Sequence, residues 1–471
     1  MTVQSVLEND RGLIVAPAGC GKTHLITETL NVSTKKPYLV LTHTTAGVAA
    51  LKKKLKYLGV PTDNYVVATI DGWARLITKI FPASCSVLST PENPSVFYPE
   101  LRKKVNQYIN SGNVTDIIKS SYSRLLVDEY QDCNTDQHTL ICSLAELLPT
   151  TVFGDPMQCI FDFSGPMPSW VNDVQASFPI INELGTPWRW LNAGNVDLGK
   201  WILLVRNLLL QGSSIDLLSC PGYVHWNQLT GNFQTDSRNQ NQAQYQIRNT
   251  NDVSDTLLVI GDSRNPRSRH VFASSSYGID VVEPVDLSDV MAVASQIDSS
   301  TGTALADHVL SSVATMMVGV GKAKLMQRMA SILENRNRTP ASLLELSVKD
   351  VILQGDGKSI ANLLSSLELS SDTRIFRRGA FSALKNSILM CISDPTKTIR
   401  QASEVIREQR RHQGDRRIPM RAIGSTLLLK GLEADHVLIL DAGTMNSHNL
   451  YVALSRGAKS VTVFSNSNVV G

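Results

Sequence analysis

Leu125–Asp132 reads LLVDEYQD. Three apolar residues suited to a buried strand run directly into a cluster of carboxylates. Charges placed at the tip of a buried strand are costly unless they serve chemistry. Asp128 and Glu129 are adjacent, so an extended backbone would send their side chains to opposite sides of the strand tip. One carboxylate would then face a metal ion and the other a water, the division of labour that nucleotide hydrolysis requires.

The complementary half lies upstream in Ala16–His24, APAGCGKTH, which follows the apolar run Leu13, Ile14, Val15 and precedes a helical pattern. Strand, glycine-bearing loop and helix form the setting of a phosphate-binding loop. Gly19 and Gly21 let the backbone curl so that successive amides point inward. The helix behind them offers its N-terminal amides to the same anion. On this reading Ala16, Pro17, Ala18, Gly19, Cys20, Gly21, Lys22, Thr23 and His24 cradle a nucleotide. Lys22 reaches the β- and γ-phosphates, and Thr23 joins Asp128 as a ligand of Mg²⁺. The usual glycine at the loop's first position is replaced by Ala16, with Pro17 next.

The 471 residues suffice for about three domains or a large pair. With 42% apolar and 18% charged residues the chain has the composition of a globular protein with a sizeable core. A net charge of +3 excludes a globally basic nucleic-acid binder, so a basic surface has to be local. Seven cysteines, without a C-x-x-C pair, point away from a disulfide framework or structural zinc and toward a reducing cytoplasm. No run reaches the roughly 18 consecutive apolar residues of a membrane span, and no signal pattern opens the chain.

Strand and helix patterns alternate through the first part: Leu13–Val15, Tyr38–Thr42, a helix from about Thr45, then Tyr65–Ile70. Prolines 82, 91, 94 and 99 break this rhythm and mark a small insertion, about 82–121. Strands resume at LLVD and at Thr150–Asp155, and repeated βα alternation predicts a parallel sheet covered by helices. Asn232 to Asp255, rich in Gln and Asn, reads as a flexible surface loop. Thr256–Arg264 restarts the alternation, 285–412 is helical in pattern, and RAIGSTLLL, HVLILD and Ser460–Phe464 read as strands.

Seven segments in order, APAGCGKT, LTHTTAGVAAL, ATIDGWA, LLVDEYQDC, VFGDPMQCIFDF, LGTPWRW, and STLLLKGLE followed by YVALSRG, resemble the UvrD/Rep/PcrA-type superfamily 1A DNA helicases. The resemblance implies an α/β fold of two RecA-like parallel-sheet lobes, a phosphate-loop NTPase. It divides the chain into a first lobe over 1–180, a second lobe over 181–284 and 413–471, and a helical insertion over 285–412. It implies ATP and Mg²⁺ as cofactors and assigns catalytic roles to Lys22, Asp128, Glu129, Gln158, Arg189 and Arg456. Glu129 would polarise the attacking water, Gln158 would sense the γ-phosphate, and the two arginines would reach it from the second lobe. Trp188 would stack on adenine or pack in the core, Glu433 would bond the ribose, and Gln4 is the candidate adenine-contacting glutamine.

The same resemblance places single-stranded DNA against Thr42, His43, Thr44, Thr69, Trp73, Phe161 and Phe163, through stacking and phosphate contacts that do not distinguish DNA from RNA. Strand or core positions are the alternative reading of Phe161 and Phe163. Arg407, Arg410, Arg411, Arg416, Arg417 and Arg421 form the strongest local basic cluster, for duplex DNA, a partner or a solvated face. Asp71 and Leu427 stand where the family commonly carries histidines on the DNA side. The function implied is an ATP-dependent helicase or translocase, with a DNA-stimulated ATPase switch as the alternative. In its compactness the chain is similar to the helicase subunit of the Gabija anti-phage system, which implies a partner nuclease of the OLD type.

Overall fold

The computed structural model describes residues 3–91, 93–161, 165–250, 252, 254–284, 286–413 and 419–471. They form two compact units, Met1–Gln228 with Ala442–Gly471, and Leu229–Asp441.

The first unit is built on a six-stranded parallel sheet. Its strands are β1 (Arg11–Val15), β2 (Tyr38–Thr42), β3 (Tyr65–Thr69), β4 (Leu125–Val127), β5 (Thr150–Gly154) and β6 (Ile180–Glu183), in the order β3-β2-β4-β5-β1-β6. Register fixes the site: Val15 lies beside Gly154, and Leu41 beside Val127, so the loops after β1, β4 and β5 leave from one edge. Alternation along the strands divides the core. Leu13, Val15, Leu39, Leu41, Leu125, Val127 and Val152 face one layer, while Ile14, Tyr38, Val40, Leu126 and Phe153 face the other. Each such side chain contributes about 1.5–3 kcal/mol of burial. Phe97, Leu101 and Val105, on the helix Pro94–Asn110, join the first layer. The segment read as an insertion is therefore seated in this core. In the same unit β7 (Val224–Gln228) pairs in parallel with the C-terminal strand Gly457–Ser465.

The second unit has its own parallel strands: β8 (Leu257–Ile260), β9 (Asp280–Val281), β10 (Arg421–Gly424) and β11 (Ala434–Ile439), in the order β9-β10-β8-β11. The C-terminal strand Gly457–Ser465 is β12. Seven helices between Ser288 and Gln413 enclose a core of Leu, Ile, Val, Ala, Met and Phe. Parallel α/β structure thus occurs in both units, the fold class that the alternation predicted and one consistent with two RecA-like lobes.

Two local expectations are corrected. The Gln/Asn-rich stretch is not a loop but the helix Phe233–Thr250. Gln, Arg and Ala are good helix formers, and the Asn232 side chain accepts from the amides of Gln234 and Thr235 at its start. The extended segment at Arg421 ends at Gly424, and Thr426 to Gly431 is a turn rather than strand. A Cβ at Gly424 would lie 2.9 Å from Leu429, so the chain folds back tightly there.

Candidate active site

The loop after β1 is fastened before it curls. The Ala16 amide donates to Gly154 O (2.9 Å) and Cys20 N to Pro17 O (3.1 Å). Gly19 (φ 71°) and Gly21 (φ 91°) adopt left-handed conformations that other residues rarely accept. Gly21 is the N-cap of the helix Lys22–Asn31, which places Lys22, Thr23 and His24 in the first turn, where amides have no partner within the helix. Cys20 is buried; burial, then the nearby Asp155 carboxylate, pushes its thiol up to about 12, so it is inert. His24 faces solvent beside Glu28.

β4 delivers the carboxylates. Asp128 N donates to Leu41 O (2.8 Å), which continues the ladder one residue past the strand. Glu129 then turns left-handed (φ 55°, ψ 44°), a rare state for a side chain of its kind. The expectation of opposed carboxylates fails for this reason. Both converge on one cation: Lys22 Nζ lies 3.0 Å from Asp128 Oδ1 and 2.5 Å from Glu129 Oε1. Burial works against charge on Lys22, but the two carboxylates outweigh it and hold the ammonium above its ordinary range. Burial pushes Asp128 upward, with the neighbouring Glu129 adding to it and Lys22 opposing.

Two glutamines extend the cluster. Gln131 Nε2 donates to Glu129 Oε2 (2.5 Å) while its Oε1 accepts from Asp155 N (3.2 Å). Gln158 Nε2 donates to Asp155 Oδ2 (3.1 Å) and approaches Ala16 O (3.5 Å).

The short helix Trp188–Asn192 packs on the loop from the other side. Arg189 N donates to Gly19 O (3.1 Å), and a Cβ on Gly21 would come 3.0 Å from Trp188 Cδ1. The Trp188 indole, half exposed, therefore lies against the loop with a face available for stacking. The Arg189 guanidinium donates to Ser455 O and sits 5.4 Å from the Trp190 ring centroid. Trp190 Nε1 donates to Gly457 O (2.8 Å). Arg456 is buried, with Nε on Val452 O (3.0 Å). Both arginines belong to the same compact unit as the loop.

Gln4 and Glu433 are the remaining expected nucleotide contacts. Gln4 is exposed and bonded to Glu8 one turn along its own helix (2.9 Å). Glu433 is exposed in the second unit.

Sequence reading missed two residues. Tyr451, fully buried, accepts from the Ala18 amide through its hydroxyl (2.9 Å). Arg206 ion-pairs with Asp155 (2.9 Å). A lone arginine within the apolar stretch WILLVRNLLL was the available signal for the second; nothing local marks the first.

On the expected nucleic-acid side, the His43 and Phe161 rings meet at 5.3 Å, and both are partly exposed. Thr44 and Thr69 use their hydroxyls as helix N-caps, accepting from Gly47 N (3.0 Å) and Gly72 N (2.9 Å). Thr42 is 2% exposed. Trp73 is a correction: at 1% exposure it belongs to the sheet core and offers no face to a base. Asp71 is held by Arg102 through two bonds (2.6 and 2.7 Å) and by Gln137 (3.3 Å). Phe163 lies outside the described residues, as do Arg416, Arg417 and the Arg411 side chain. Arg407 and Arg410 are drawn inward, onto Met291 Sδ (3.3 Å) and Gly379 O (3.0 Å).

Among the described residues no group of three or more His, Cys, Asp or Glu could hold a metal. The Thr23 hydroxyl and the Asp128 carboxylate are nonetheless hard oxygens of the kind Mg²⁺ takes, an ion that needs only one or two protein ligands and completes its shell from phosphate and water. No helix of the described residues is long and apolar enough to cross a membrane.

Residues 96–179, which include LLVDEYQD and GDPMQ, match the family model of the UvrD/REP helicase N-terminal domain. No curated protein matches the chain. Among solved structures, arterivirus nonstructural protein 10 (helicase), in a complex with DNA, is similar over 55% of this chain and 50% of that one. The identity is 11% and the TM-score 0.28, and the chain spans half the length of that protein. The family match is to the N-terminal domain of that family and covers residues 96–179 of the 471.

Proposed function

We propose that the chain hydrolyses ATP and couples hydrolysis to movement on single-stranded DNA. The observation that carries this reading is the meeting of Lys22 with Asp128 and Glu129, brought together from two segments far apart in sequence. Without nucleotide, the ammonium pairs with both carboxylates and offsets one of their two charges. An entering γ-phosphate competes for Lys22, and its transfer to phosphate frees Glu129 to accept a proton from the attacking water. Gln131 holds Glu129 in its left-handed turn, and Gln158 stands beside the loop to bond phosphate or water. Mg²⁺, held by Thr23 and Asp128, would offset charge on the β- and γ-phosphate oxygens. Arg189 and Arg456 would stabilise transition-state charge.

ATP turnover with and without single-stranded DNA, followed by strand displacement on tailed duplexes, tests the reading. Absence of turnover in both conditions sinks it. The alternative, a DNA-stimulated switch without unwinding, is favoured by the DNA-side residues Asp71, committed to Arg102, and Trp73, buried. Stimulated turnover without displacement selects it. An OLD-type nuclease partner and a cytoplasmic, anti-phage setting complete the proposal. They rest on the Gabija resemblance, and failure of a nuclease to co-purify from the native host removes them.

A further inference from the structure

Asp155, fully buried at the end of β5, meets both site glutamines, Gln158 through its carboxylate and Gln131 through its backbone amide. Its Oδ2 accepts from Gln158, its Oδ1 from Met157 N (3.2 Å) and Arg206 Nε (2.9 Å), and its own amide donates to Gln131 Oε1. Gln131 in turn grips Glu129. Arg206, 3% exposed on the helix Val196–Leu210, supplies the positive charge that a carboxylate in this position needs. A carboxylate pinned on one oxygen by a guanidinium presents the other as an acceptor. That fixes which end of the Gln158 amide faces it, the nitrogen, and so the direction of its oxygen. Arg206 also reaches Asn207 Oδ1 (3.3 Å) and Glu183 (3.6 Å), which holds the guanidinium in place.

We propose that Arg206 is a positioning residue for hydrolysis: through Asp155 it sets the orientation of Gln158 and, through Gln131, of Glu129, without touching the nucleotide. This rests on the ATPase reading above.

The test compares full-length wild type with Arg206→Met, Arg206→Lys and the double variant Asp155→Asn/Arg206→Met. Arg206→Met strands a buried carboxylate and risks misfolding. The double variant removes both charges at similar volume and keeps the test open. For each, ADP binding is titrated for affinity and stoichiometry, and kcat and KM for ATP are measured. The expected result is kcat at least about tenfold lower in the methionine variants, with ADP affinity and stoichiometry near wild type and lysine recovering most of the rate. A double variant that binds ADP and turns over within about twofold of wild type overturns the proposal. So does a loss of rate matched by a loss of ADP stoichiometry, which is the signature of misfolding alone. Wild type that turns over no ATP removes the ATPase reading first, before any substitution is scored, and the positioning role with it.

Discussion

Lys22 in the first unit and Arg377 in the second are each held by two carboxylates, yet the two clusters are built for different ends. Arg377 binds Glu283 through two bonds (2.6 and 2.9 Å) and Asp289 through a third (2.5 Å). Its planar fork matches that geometry and leaves little to exchange. Lys22 is a single ammonium on a flexible stem, between a carboxylate on a regular strand end and one on a left-handed turn. A point charge can pass from carboxylate to phosphate without breaking a fork. Partner count therefore does not separate a brace from a working site. Donor geometry and backbone strain do.

The comparison breaks most sharply at the strained carboxylate. Glu129→Gln keeps size and polarity but removes the proposed base. Turnover is expected to fall by about 10²–10⁴ while ADP affinity stays within a few-fold. Retained turnover would place the base elsewhere. Lys22→Arg sharpens the same point, since a fork across Asp128 and Glu129 should lock the cluster, lowering turnover while leaving the thermal midpoint near wild type.

In the second unit the corresponding change acts on stability. Arg377→Met removes the guanidinium that bonds both oxygens of Glu283, 2% exposed at its side chain, and should cost about 3–5 kcal/mol in urea unfolding. A cost under about 1 kcal/mol would mean that the cluster is no brace.

How much of this was legible in sequence follows the range of the interactions. Lys22, Asp128 and Glu129 sit in contiguous stretches whose strand and helix settings are coded locally, and the structure brings them together. The direction of Glu129 was not legible, because its positive φ is imposed by neighbours such as Gln131 and Lys22 rather than by residue type. Tyr451 and Ala18 are 433 positions apart, and no local pattern joins them. Trp73 illustrates the reverse error: an aromatic beside a DNA-type motif was read as a stacking face, while the helix Ile70–Ile80 turns it into the core. The helix Phe233–Thr250 is hidden in the sequence by its polarity, which masks the helix propensity of glutamine.

A smaller effect is expected at the proposed nucleic-acid contacts of the first unit. His43 and Phe161 make a ring pair at 5.3 Å, partly exposed, unlike the apolar helical core of the second unit. Loss of one stacked base is worth about 1–3 kcal/mol. Phe161→Ala should therefore weaken single-stranded DNA binding about 5- to 100-fold at fixed salt, with ADP affinity unaltered. An unchanged DNA affinity would return Phe161 to a packing role.

The smallest effect separates the two cations by pH. His270 lies in the second unit, and burial first, then the Arg377 charge, lowers its pKa to about 4; Arg269 acts in the same direction and Asp289 against it. The unfolded chain takes up this proton near the ordinary value of 6.5, while the folded one refuses it until about pH 4. Between those values the unfolded state binds more protons, so stability rises with pH across the window and is lost as pH falls through it. Above 6.5 the contribution is complete and flat. His270→Asn removes the titrating group and should flatten the slope of unfolding free energy between pH 4 and 6.5 by up to about one proton. Arg377→Lys, which keeps the charge, should leave that slope, whereas Arg377→Met should shift its lower edge upward because the repelling cation is gone. A slope indifferent to both His270→Asn and Arg377→Met would show that the brace exerts no field on its neighbour, and that its charges are spent wholly on one another.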